Sequence, residues 1–432
     1  MSFQLIAWIM LCSGLVVVTR NRPVLTVSAA LAVWFLVPAY AAQRVTGVDG
    51  GVLGLHPATW ILLVALGVHL LVSPRQMSSP VAAHPYVVLA VVLLVAVGAA
   101  TSVLTGSGGL ALLADQVVGP VGAFWLVLAF AGHRDLLLLR GAVLGLVALQ
   151  CLLALAQWRL GSLIFFTADA QVLYWFDPLT FTRWMGTTDS PLVMSLAICA
   201  ATPLLAGLQR HSIRFALMGL FLGGCLVAQS RTGAALMVLL VLWVLLRTQM
   251  SVVLRLGYVM LMALAGGVVV RSALASGIND RVSDDSGSAQ ARGQAIEFFV
   301  SHWSNYAAVG HGLTSSYDIA TLAGLITSLE SSYLMYAVDC GIVAATLYFG
   351  AQGALILRHG VGARPLGVGL AALVACTLQH TFSGVATANL VGTLTWVLLA
   401  MTVAGRAVDP DVAEPVGTAE PAETAPVTAA RS

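Results

Sequence analysis

A few charged side chains set into apolar sequence carry most of the chemistry this chain can offer. Arg231 stands in AQSRTGAALM, just after the run FALMGLFLGGCLVA and just before another apolar run. Ser230 is placed to cap the helix that follows, so a helix N-terminus and a guanidinium converge on one spot. That combination is a ready site for an anion, and a lipid phosphate or pyrophosphate is the obvious anion at a membrane face. The alternative is a topological anchor, which the orientation derived below disfavours for so short an outer turn. Arg292 lies in AQARGQAIEFFVSHW, residues 289–303, whose spacing predicts a helix with Ile296, Phe299, Val300 and Trp303 in one apolar stripe. Arg292 falls on that stripe, where an arginine either takes an anionic partner or snorkels to lipid headgroups.

Glu330 and Asp339 share the stretch TSLESSYLMYAVDCGIVAATLYFG. Glu330 precedes an apolar run and is a candidate general base, against the plainer reading of an acid at a helix start. Asp339 lies inside the run, where insertion costs about 2.5–3.5 kcal/mol, so a partner is expected. Half a helical turn out of phase, the two do not form a carboxylate dyad. His302 and His311 match no metal spacing, and no metal is expected. Trp158, Tyr174, Trp175 and Trp184 read as an interfacial aromatic belt. No motif for nucleotide use or nucleic-acid binding is present.

The elements that must position these groups are membrane helices. Of 432 residues, 59% are hydrophobic and only 9% charged, with mean hydropathy +0.94. Soluble domains carry about 25% charge. About thirteen apolar runs are near the length of a span, so 12–14 transmembrane helices are expected, and no run alternates as a barrel strand would. The first run lacks a basic leader and reads as a span, not a signal peptide. There is no lysine, and thirteen of the 20 basic residues, all arginine, fall in alternate loops that hold Arg20 and Arg22. Those loops are expected inside, with the N-terminus outside and the C-terminus inside. Two long loops, 159–190 and 271–332, are then external, the second between spans 10 and 11. Residues 1–405 form the transmembrane domain, and the Pro/Ala-rich acidic tail 406–432 reads as disordered and cytoplasmic. The six cysteines lie in or beside apolar runs without a CxxC pair and read as small buried hydrophobes. No internal repeat is visible, which weighs against transporter folds built from duplicated halves.

The order of the sites is informative: an outer loop ending RWMGTTDSPLVMSLA, a short SRTG turn, a large outer loop with Arg292 and VGHGL, then ESSYLMYAVDCGI. Over roughly Arg183 to Gly341 this resembles the O-antigen ligase / O-antigen polymerase superfamily of GT-C-type membrane glycosyltransferases. The resemblance implies an all-α GT-C-like bundle in a bacterial cytoplasmic membrane. It implies metal-independent transfer, without cofactor, from a polyprenyl-pyrophosphate-linked glycan to a glycan or glycolipid acceptor at the outer face. Arg231 and Arg292 would bind the pyrophosphate, and Arg183 with Gly186 matches the family's R-x-x-G element. The ligases' His-Asn-x-Tyr/Leu stretch reads Glu330-Ser331-Ser332-Tyr333 here, which puts Glu330 where the ligases carry their base. Ser230, His311 and Tyr333 join Arg183 as expected substrate-binding residues. Two other classes fit the composition: a lipid-linked glycan flippase or secondary transporter, and a non-catalytic envelope assembly protein.

Overall fold

The computed structural model describes residues 2–171, 173, 176–177, 181–260, 285–325 and 328–407. Most expected apolar runs coincide with helices, and the first half of the chain comprises α1 (Phe3–Thr19), α2 (Pro23–Leu36), α3 (Pro57–Val72), α4 (Pro74–Ala83), α5 (Pro85–Thr105), α6 (Leu110–Phe130), α7 (His133–Leu160), α8 (Pro191–Ala201), α9 (His211–Ala228) and α10 (Arg231–Arg247). The second half continues as α11 (Asp285–His302), α12 (Ser315–Leu322), α13 (Ser332–Cys340), α14 (Ile342–His359), α15 (Val368–Leu378) and α16 (Val391–Ala407). Among the described residues, four helices are long and apolar enough to cross a membrane, or up to six if each of two bent pairs is one crossing. The run at 252–270 and the tail lie wholly or partly outside the described residues.

The bundle buries polar groups and exposes apolar ones, the polarity expected where the surroundings are lipid. Gln116, Gln150, Gln157 and Asp339 are buried, while Val18, Leu71, Leu104 and Leu357 are each more than 80% exposed. Without water, each buried polar group must find a partner inside the protein. α6 and α16 pack most extensively and form the centre, with Phe124 edge-on to Trp396 at 5.1 Å. Trp396 donates its indole N–H to the Tyr348 hydroxyl at 2.8 Å, so an otherwise orphaned donor is satisfied within the core.

Bends come where proline or glycine interrupts the helical ladder. α2 stops ahead of Pro38 and the chain turns by 85° into residues Ala39–Thr46. α4, which hydropathy alone does not mark, leaves α3 at 105° through Pro74. Gly341 separates α13 from α14 at φ 95°, and a Cβ there would lie 2.7 Å from the Ala308 carbonyl oxygen. Only glycine combines that backbone with so close an approach.

Two expectations need correcting. α11 forms, but the face it buries is Ala291 and Ala295, with Phe298 and Phe299 partly covered. Ile296, Val300 and Trp303 are exposed and do not pack on the bundle. Trp184 is a core residue and not part of an exposed belt: it is buried, edge-on to Phe181 at 5.7 Å. Trp158 is exposed, whereas Tyr174 and Trp175 lie outside the described residues. All six cysteines are free and buried, as expected.

Candidate functional site

The loop from Phe181 to Ser190 is shaped by two buried glutamines of α7. Gln157 donates its amide N–H to the Gly186 carbonyl at 2.7 Å and accepts the Gly186 N–H at 3.0 Å. Gln150 accepts the Thr187 N–H at 2.7 Å and donates to the Phe35 carbonyl at 2.7 Å. Gly186 sits at φ 64°, where a Cβ would strike Gln150. The R-x-x-G pattern thus has a local cause, since a side chain at its glycine would expel the glutamine that holds the loop. The arginine of the pattern donates from Nε to the Ala228 carbonyl at 3.3 Å, and Trp184 N–H bonds the Val227 carbonyl at 3.0 Å. Both contacts fasten the loop to the end of α9, directly before the SRTG turn.

That turn has the expected cap. Gln229 ends α9 in the left-handed region at φ 49°, and Ser230 accepts the Gly233 N–H at 3.2 Å to open α10. Arg231 is the first residue of α10. Ser230, Thr232 and Gly233 border a hollow of about 20 Å³ whose other wall includes Ser195, Thr381 and the side chain of Arg292. Arg292 borders the same hollow as the SRTG turn, but Arg231 borders neither this hollow nor the larger cleft beside it, so the two arginines do not line one cavity. Arg292 is not on a buried face: it is 45% exposed and pairs through Nε with Glu330 Oε2 at 3.3 Å. Its Nη2 donates to the Thr381 carbonyl at 3.4 Å. Glu330 is 23% exposed and adopts φ 51°, a left-handed backbone uncommon for a side chain of this kind.

Beside the hollow, and sharing Leu192 and Phe382 with it, lies a cleft of about 720 Å³. Its walls include Arg183, Asp177, Asp189 and Glu330, with Tyr40, Tyr317, Ser383, Thr387 and Asn389. Asp189 accepts the Ala39 N–H through Oδ1 at 2.6 Å. Its Oδ2 is enclosed and has no hydrogen-bond partner among the described residues. Burial pushes this carboxyl up to about 7, against smaller opposite pulls from the N–H groups of Ala39, Asp189 and Leu390. Asn389 caps α16 by accepting the Val391 N–H at 2.8 Å, while its carbonyl accepts from Gln116 at 2.8 Å.

Of the residues expected from sequence, Arg183 and Glu330 border the cleft, and Ser230 and Arg292 border the adjoining hollow. His311 and Tyr333 border neither. The His311 ring is edge-on to Tyr306 at 5.3 Å, and the main-chain N–H of His311 donates to the Val338 carbonyl at 3.0 Å. The Tyr333 hydroxyl turns instead to Thr346 Oγ1, at 2.9 Å on α14. Asp339 has the expected partner, though not an ionic one: it accepts N–H groups of Thr314 and Ser316 and the Ser316 hydroxyl. Sequence reasoning passed over Asp189 and the polar stretch from Ser383 to Asn389. Asp189 ends the long outer loop and Ser383–Asn389 fills a short break between apolar runs on the expected outer side, and that placement was the available signal. No family model matches the chain, and no curated protein matches it significantly.

Proposed function

We propose that the protein is a membrane glycosyltransferase that transfers or polymerises glycan from a polyprenyl-pyrophosphate donor. The acceptor is a sugar hydroxyl of a glycan or glycolipid at the outer face of a bacterial cytoplasmic membrane. The chain would cross that membrane 12–14 times with its N-terminus outside.

The observation that carries this reading is the polar cleft of about 720 Å³, with Arg183 on its wall and the Arg292–Glu330 pair at its edge. The cleft lies within the range of about 300–1,000 Å³ typical of small-molecule sites. Carboxylates, hydroxyls and an amide on its walls are the groups that hydrogen-bond sugars. The hollow has room for about one water, so the pyrophosphate would lie in the cleft beside Arg183, with Arg292 and the capped start of α10 acting on it from the adjoining hollow. Guanidinium groups there would stabilise charge growing on the leaving pyrophosphate, an electrostatic contribution placed where the charge develops. The acceptor hydroxyl, held in the cleft, would attack the anomeric carbon from the opposite face and invert it. Because the donor already carries its leaving group, the reaction consumes no nucleotide.

Transfer in right-side-out membrane vesicles tests the proposal, with lipid-linked glycans extracted from the host membrane as donor. Acceptor glycan added outside is expected to gain mass with the wild-type protein and to gain little with Arg183→Ala or Arg292→Ala. No elongation of any host acceptor, or elongation only in inverted vesicles, refutes the reading.

A further inference from the structure

We propose that Asp189, rather than Glu330, is the catalytic base, its enclosed Oδ2 receiving the proton of the acceptor hydroxyl. This rests on the transfer reaction proposed above. The carboxylate is anchored through Oδ1, which takes the Ala39 N–H at 2.6 Å across a sequence separation of 150 residues, and the Asp189 and Leu390 N–H groups add weaker pulls. The next residue, Ser190, caps α8 by accepting the Val193 N–H at 3.2 Å, which fixes the backbone on which Asp189 stands. Oδ2 is left enclosed at the wall of a polar cleft without a partner among the described residues. A buried acceptor in that state lacks a donor, and a sugar hydroxyl is one.

Glu330 is differently placed. Its Oε2 already accepts from Arg292, so its geometry is that of a positioning residue that aims the guanidinium at the hollow. Burial that lifts Asp189 to about 7 puts its proton exchange in the range where a general base is most effective at neutral pH. The other titratable groups on the cleft walls are Tyr40 after α2, Asp177 and Arg183 from the same loop, Tyr317 on α12, and Glu330 opposite. In the step itself, the acceptor oxygen bonds the anomeric carbon as its proton moves to Asp189 Oδ2. The anomeric C–O bond to pyrophosphate breaks, and its electron pair stays on the departing oxygen. The proton is released to water after product leaves.

The test compares wild type, Asp189→Asn, Asp189→Glu and Glu330→Gln in detergent. Undecaprenyl pyrophosphate is the binding probe, and host lipid-linked glycans are the transfer substrate. A base works deprotonated, so wild-type turnover should rise with pH through about 7, and the same limb should persist in Glu330→Gln. Asp189→Asn should bind undecaprenyl pyrophosphate normally, lose that limb, and fall about 10²–10⁴-fold in kcat, with partial recovery in Asp189→Glu. Transfer by Asp189→Asn within about tenfold of wild type overturns this assignment and leaves the transferase reading intact. If Asp189→Asn does not fold, Asp189→Glu decides: normal probe binding with a lowered kcat and a displaced pH limb upholds the assignment, and a wild-type rate and profile overturn it. A wild-type protein that binds the probe and transfers nothing removes the transferase reading and this assignment together.

Discussion

Replacing Asp339 should loosen the cleft from a distance, by an amount the hydrogen bonds define. Asp339 is fully buried and accepts the Thr314 N–H at 3.2 Å, the Ser316 N–H at 2.7 Å and the Ser316 hydroxyl at 3.2 Å. These bonds hold the turn that starts α12, the helix that carries Tyr317 to the cleft wall. Asp339→Ala leaves two main-chain N–H groups without an acceptor, at about 1–3 kcal/mol each, hence about 2–6 kcal/mol together. The Ser316 hydroxyl can rotate to another acceptor and is not counted. Relief of the burial of Asp339 itself offsets part of the loss, so the net should lie toward the lower end. Asp339→Asn keeps one acceptor oxygen and turns an amide donor toward the other donor, a cost of about 1–3 kcal/mol. Melting in detergent, followed by the fluorescence of the ten tryptophans, should rank wild type above Asn and Asn above Ala. Amide exchange should accelerate first at residues 314–316. An alanine variant that melts within about 1 °C of wild type would show that these bonds do not hold the turn.

Arg292→Ala should have the opposite signature. Its ion pair with Glu330 is partly exposed, and such pairs contribute about 0.2–1 kcal/mol, so melting should hardly move. Binding of undecaprenyl pyrophosphate should weaken about 10–100-fold, the value of one or more lost charge-assisted bonds, and Arg292→Lys should restore only part of it. A large fall in melting temperature with unchanged binding would make Arg292 a structural tie instead. In Gly233→Ala the new Cβ would strike the Ser195 hydroxyl and come within 3.1 Å of Ser230 Oγ, forcing α10 away from α8. Overpacking of this kind costs about 1–3 kcal/mol, and Ser195→Gly in the same chain should recover most of it. If Gly233→Ala alone melts like wild type, the two helices are not in close contact at the hollow.

Hydropathy is a local and additive property, so the sequence by itself determined that the chain is all-helical and where most helices lie. It also determined local chemistry: the Ser230 cap needs only the residues that follow it, and an acid inside an apolar run must find partners wherever the chain turns. What only the tertiary structure decided depends on contacts between distant segments. The periodicity of α11 marks a greasy face but does not say which face packs, and the structure buries Ala291 and Ala295 while Ile296 and Val300 stay exposed. Apolar runs do not reveal the 85° and 105° bends, because the direction taken after a proline break is set by neighbouring helices. Glu330 was visible as an acid before a span, yet its pairing with Arg292 depends on a left-handed backbone and on a helix 38 residues away. Asp189 was unremarkable in sequence. It becomes a candidate base because Ala39 claims one carboxylate oxygen and the cleft wall encloses the other, and no spacing rule joins residues so far apart along the chain.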